Sequence, residues 1–214
     1  MSKIVVFGAG GRAGRRVVAE AVSRGHLVTA VVRDPARHRD LAGDRVALVA
    51  GDATDADDVS AAAAGHDAAV SAVARLDISS VEFYVGAARA LLDGLARAGV
   101  GRLVLIGIGT TLETAPGVMV HDAAGFPEEG RAFSLGHAAE LEVLRADGAG
   151  IDWLVIAPPP VILDEHASRT GRYRTGGPEV LPADGGFSYA DLAVALVDEI
   201  EDPRHHRALV AVAP

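Results

Sequence analysis

Gly8, Gly10, Gly11 and Gly14 crowd into the run "VVFGAGGRAGRRVV" near the start of the chain. An apolar stretch precedes them and a stretch with helical spacing follows. In that setting glycines have separate uses: Gly8 permits a tight turn, Gly11 lets the backbone approach a pyrophosphate, and Gly14 lets helix and strand pack closely. The helix that opens at Arg12 and Ala13 offers unpaired N–H groups and the positive end of its dipole to phosphates. The chemistry this prepares is the gripping of a dinucleotide. The alternative is a glycine turn with no ligand.

The end of the second apolar run bears on which dinucleotide. It reads "VVRD", so Arg33 comes first, and an arginine there suits a ribose 2′-phosphate. Arg12 can reach the same region. Asp34 precedes Pro35 and is read either as an acid facing a free ribose hydroxyl or as the cap of the next helix. The balance favours NADP(H) over NAD(H). In "GDATD", Asp52 and Ala53 follow the third run. Asp52 can take a hydrogen bond from an adenine amino group or serve as a turn residue.

Other polar residues are candidates for the reacting end. His137, with an ordinary pKa near neutrality, can donate a proton or hold a ribose, or it can bond a backbone group in the first turn of its helix. His121 lies in a long loop beside Asp122, facing substrate or solvent. No third ligand has a helpful spacing, so no metal is expected. Tyr173, in "GRYRTGG" with Arg172 and Arg174, either binds an anionic substrate tail or closes a hairpin over the pocket. His205 and His206 are expected in solvent. There is no Gly-x-Ser-x-Gly, hence no nucleophile elbow, and no cysteine, hence no disulfide and no thiolate site.

The elements that must position these residues alternate. Strands are expected at 4–7, 27–32, 46–50, 67–73, 102–108, 153–157 and 209–212, with helices at 12–23, 55–64, 81–98, 134–145 and 188–200. Alternation of this kind predicts an α/β fold, a doubly wound parallel sheet of Rossmann type. One domain over 1–214 is expected. Two long irregular stretches, about 109–131 and 158–187, follow late strands and are expected to wall a substrate pocket.

Half the residues are hydrophobic and few are aromatic, which suits a core of small aliphatic layers. A net charge of −9 argues against a nucleic-acid partner. No stretch approaches a membrane span and no signal peptide is visible, so the expectation is a cytoplasmic protein without membrane contact. The alanine-rich stretch 81–98 is a candidate homodimer face.

The chain resembles the NAD(P)H-binding atypical short-chain dehydrogenase/reductases, a group that includes NmrA-like proteins, NADH-flavin reductases and biliverdin-IXβ/flavin reductase. The resemblance is carried by the opening glycine run, "VTAVVRDPAR", "VALVAGDATDADDV", "IDWLVIAPPPVI" and "GFSYADLAVALVDEIEDPRHHR". It implies a Rossmann fold with the nicotinamide near the ends of strands four to six, hence near Ala72, Gly107 and Pro158. Pro158, Pro159 and Pro160 lack N–H groups, so their contribution is shape.

The departures matter. Active members of the wider superfamily carry a tyrosine, and a lysine four residues later, on the helix after strand five, with a serine just after that strand. In this chain Phe133 falls at the tyrosine position and His137 at the lysine position. Gly107 or Gly109 stands where serine is usual. A ketone needs a placed proton donor as hydride arrives, whereas a flavin or quinone spreads the charge over its rings. The implied activity is therefore hydride transfer to a flat conjugated small molecule. The alternatives are a dinucleotide sensor without turnover and a pathway enzyme using His137 for non-redox chemistry.

Overall fold

A computed structural model describes every residue except Ile162 and Asp184, so two positions of the expected 158–187 pocket wall lie outside the described residues. The elements, in chain order, are β1 (Lys3–Phe7), α1 (Arg12–Ser23), β2 (Leu27–Val32), β3 (Val46–Ala50), α2 (Ala56–Ala63), β4 (Ala68–Ser71), α3 (Ser80–Ala98), β5 (Arg102–Ile106), β6 (Glu113–Ala115), β7 (Val118–Met119), α4 (Glu128–Asp147), β8 (Asp152–Ala157), β9 (Arg174–Thr175), α5 (Tyr189–Glu201) and β10 (Ala208–Ala213).

The main sheet runs β3-β2-β1-β4-β5-β8-β10-β9. All neighbours are parallel except β9, which pairs antiparallel with the end of β10. This is the doubly wound arrangement of a Rossmann fold. Alternation along β1 shows how the faces are built: Ile4 and Val6 join one core with α1 and α5, while Val5 and Phe7 join the other with α2, α3 and α4. Chain order reverses between β1 and β4, so a crevice opens above their C-terminal ends.

Local chemistry sets most helix ends. Asp55, Ser79 and Ser188 cap α2, α3 and α5 through their side chains. Gly99 ends α3 in the left-handed region, φ 74°. Asp34 accepts from Ala36 N–H at 3.0 Å, so it caps a single 3-10 turn.

Three expectations need correction. Helix α4 begins at Glu128, not Ser134, because Pro127 and two acidic residues suit a helix N-terminus. The stretch 109–131 is therefore partly ordered: 3-10 turns, the β6–β7 hairpin and the first turn of α4 fill it. Strands β4 and β5 end two residues earlier than expected, at Ser71 and Ile106, and the freed residues line the crevice.

Candidate functional site

The glycine turn sits at the switch point. Gly8 has φ 75°, and a Cβ on it would fall 2.5 Å from Ala72 O, so β1 and β4 approach too closely for any side chain. A Cβ on Gly14 would fall 2.2 Å from Gly8 O. Gly11 differs. Its backbone is extended, φ −74° and ψ 169°, which any residue adopts. Its Cβ would meet only Gly8 O, at 3.4 Å. Nothing inside the protein demands a glycine there, and Gly11 faces open space that lines both cavities described below. No side chain caps α1 at Gly11, and the first helical bond runs from Arg15 N–H to Gly11 C=O. This backbone cradle fits a pyrophosphate.

Two cavities adjoin along the C-terminal edge of the sheet and share Gly11, Ala72, Val73 and Ala74. The first, about 300 Å³, lies over β1, β2 and β3, where Gly10, Arg33, Asp52 and Ala53 line it. Arg33 forms no ion pair among the described residues. Arg75 also lines this cavity and pairs with Asp77 at 2.9 and 2.5 Å. That guanidinium holds the Asp77 carboxyl down at about 2. Burial works to raise the Asp52 carboxyl, but the Thr54 N–H and hydroxyl, with the Arg33 and Arg75 charges, keep it below its ordinary value. The His38 ring lies over Gly10, where a Cβ would come within 2.6 Å of it. Arg15 holds that ring at Nδ1, 3.1 Å away, and donates to the Gly10 carbonyl at 3.1 Å.

The second cavity, about 590 Å³, lies over β4, β5 and β8. Gly107 and Pro158 are in its floor, with Arg12, Ala13, Phe133 and His137 in its walls. The floor is backbone against backbone: a Cβ on Gly109 would fall 2.4 Å from Pro160 N and 2.5 Å from Pro158 O. His137 and Phe133 lie in later turns of α4, since the helix starts earlier than expected. The His137 ring lies against Tyr84, 3.9 Å between centroids, and edge-on to Phe133 at 5.2 Å. Its Nδ1 is 3.2 Å from Glu140 Oε2. Burial first, and the Glu140 charge second, push the Tyr84 hydroxyl far above the usual phenol range. The Thr110 and Ser134 hydroxyls meet at 2.7 Å, and Ser134 donates to Gly130 C=O at 2.7 Å.

Three candidates sit elsewhere than expected. Arg12 does not join Arg33 in the first cavity. It lines only the second, with its guanidinium 5.6 Å from the centre of the Tyr189 ring. His121 is buried outside both linings, where Nδ1 bonds Thr110 O at 2.7 Å. It thus holds Thr110, which does line the second cavity. Tyr173 lines neither cavity: its hydroxyl donates to Asp198 on α5 at 2.6 Å, and Arg174 binds Pro214 and Pro182 carbonyls. Hydrogen bonds to the α5 carboxylates Asp191 and Asp198 hold this segment against that helix. His205 and His206 pair with Glu199 and Asp152 at 2.6 and 2.9 Å.

Sequence reasoning passed over Tyr84, Thr110, Ser134, Glu140 and Tyr189. The spacing of Ser134 and His137, three apart on a helix, and the capping box that starts α5 at Tyr189 were usable signals. Tyr84 had none, since an aromatic on an alanine-rich helix reads as core. Lys3 is the only lysine in the chain. It opens β1 at the edge of the sheet opposite both cavities, so no lysine reaches the crevice.

Among the described residues no helix is long and apolar enough to cross a membrane, and no group of three histidine or carboxylate side chains gathers as metal ligands do.

Residues 8–203 match the NAD(P)H-binding family, to which this chain belongs. Three solved structures are similar over nearly full length. A "putative exported protein" of Burkholderia pseudomallei is 37% identical, with 100% of both chains covered and a TM-score of 0.87. A "putative epimerase" of Bacteroides thetaiotaomicron is 28% identical, covering 99% of this chain and 96% of that one, TM-score 0.87. A "putative NADH-flavin reductase" of Streptococcus pneumoniae is 26% identical, covering 99% of each chain, TM-score 0.84.

Proposed function

We propose that this member of the NAD(P)H-binding family is a cytoplasmic reductase that passes hydride from NADPH, favoured over NADH, to a flat conjugated acceptor such as a flavin or quinone. One observation carries the reading: the acceptor-side cavity is walled by rings and prolines, and among the described residues that line it there is neither a lysine nor a carboxylate. Of the two phenols that line it, Tyr84, the one against His137, is pushed away from acidity rather than toward it. A carbonyl that needs a strong local acid is poorly served there. An acceptor that delocalises charge needs only to be held face to face with the donor.

When bound, the reduced nicotinamide supplies the hydride; with one proton it converts the acceptor to its dihydro form. The chain's own residues do the rest. Gly8, Gly11 and the start of α1 hold the pyrophosphate. Arg33, backed by Arg75, faces the adenosine 2′-phosphate, and Asp52 and Ala53 border the adenine. Ala72, Gly107 and Pro158 form a floor under the nicotinamide. Tyr84 and Phe133 stack the acceptor and exclude water. His137, oriented by Glu140, delivers the proton.

The test is a titration with NADPH and NADH, followed by the loss of reduced-nicotinamide absorbance when FMN and then a quinone are added. Oxidation with either acceptor is expected. Tight binding with no oxidation would overturn the reductase reading in favour of a dinucleotide sensor.

A further inference from the structure

The two walls of the acceptor cavity belong to opposite faces of the sheet. Tyr84, Phe133 and His137 come from α3 and α4, while Arg12, Tyr189 and Leu192 come from α1 and α5. Aromatic surface dominates the first wall. The second carries the cavity's one guanidinium. Arg12 forms no ion pair or hydrogen bond among the described residues, and its contact is with the Tyr189 ring. A cation–π contact holds a guanidinium over a ring while its N–H donors stay free to meet an oxyanion.

The electrostatic setting sharpens this. The protein carries a net charge of −9, yet among the described residues no aspartate or glutamate lines this cavity. An arginine with no ion pair and no acid beside it among the described residues, in an acidic protein, is a local anion site. It is also separate from the 2′-phosphate region, since Arg33 lines the other cavity. Backbone groups at the glycine turn are already available to the pyrophosphate, which leaves the Arg12 side chain free for a second ligand.

We propose that Arg12, laid on Tyr189, reads an acidic group on the acceptor, so that the preferred substrate is a conjugated ring bearing a phosphate rather than the bare ring. This rests on the flat-acceptor reading above. Such a ligand would span the cavity, with its ring against Tyr84 and Phe133 and its acidic tail at Arg12.

The experiment measures FMN and riboflavin binding by flavin fluorescence quenching with NADP⁺ present, so that no turnover occurs. FMN should bind roughly tenfold or more tightly than riboflavin, as a charge-assisted contact predicts. Arg12→Met should erase that preference while riboflavin and NADPH affinities stay within about twofold, and Arg12→Lys should keep part of it. Equal binding of FMN and riboflavin by the native protein would overturn the proposal. So would a preference that survives in Arg12→Met, or a large loss of NADPH affinity in that variant, which would make Arg12 a dinucleotide residue. NADPH binding with no binding of either flavin would overturn the flavin reading itself along with this one.

Discussion

His137 Nδ1 and Glu140 Oε2 stand 3.2 Å apart on one face of α4, and both side chains are buried. An ionised carboxylate can only accept, so Nδ1 must carry the proton that joins them. The remaining ring nitrogen, Nε2, is then the one left for a ligand. Nε2 delivers a proton only from the doubly protonated ring, whose charge then faces the Glu140 carboxylate.

His137→Gln should lower kcat with FMN by about a hundredfold if Nε2 delivers the proton. Glu140→Gln, which removes only the orienting charge, should lower kcat about tenfold with KM and NADPH affinity unchanged. Stopped-flow turnover under saturating NADPH checks both. Unchanged kcat in His137→Gln would leave water as the proton source.

Gly11→Trp should abolish dinucleotide binding while the melting temperature stays close to the native value. The backbone there suits any residue, and its Cβ direction is open. NADPH fluorescence titration beside thermal unfolding separates the two effects. Retained binding would place the pyrophosphate elsewhere.

Arg33→Ala should weaken NADPH about tenfold or more and NADH little, because only the former carries the 2′-phosphate. Isothermal titration with both dinucleotides measures the ratio. Equal losses would remove Arg33 from that role and leave the dinucleotide preference unexplained.

Glu20 offers a stability test with a definite pH sign. Arg169 grips both of its oxygens at 2.8 Å and Arg24 Nε a third time at 2.8 Å. The Arg169 hydrogen bonds first, then Arg24, hold its carboxyl below the ordinary 4.5 against the opposing effect of burial. A depressed folded-state pKa contributes stability above the unfolded value and loses it as pH falls through the folded one. Glu20→Gln should therefore cost about 2 kcal/mol near neutrality. The gap to the native protein should narrow as pH falls below the ordinary glutamate range, as urea unfolding across that span would record. A gap independent of pH would mean that shape, not charge, holds Arg169.

Gly8, Gly14 and strand β1 were legible in the sequence because each follows from a local rule: a turn, a close approach, an unbroken apolar run. The crevice followed from strand order, which alternation of strand and helix predicts. What lay out of reach was direction. Arg12 and Arg33 were both expected to reach the same phosphate, yet they enter different cavities, because α1 carries Arg12 toward α5 and β2 delivers Arg33 beside Asp52. Tyr173 was expected near substrate from its arginine neighbours, and Asp198 on α5 claims it instead. The β6–β7 hairpin is too short to show a period. Tyr84 was hidden for another reason: it lies on the buried face of its helix, so one ring that also borders a pocket looks like its neighbours.

Gly11, Ala72, Val73 and Ala74 border both cavities, which makes them a corridor as well as a wall. With the dinucleotide placed as proposed, a molecule lodged in the larger cavity would stand across the route by which its reacting half arrives. Initial-rate kinetics should accordingly show compulsory order, with the dinucleotide entering first and leaving last. Excess acceptor should slow the enzyme by occupying the corridor early, and raising the dinucleotide concentration should relieve that inhibition.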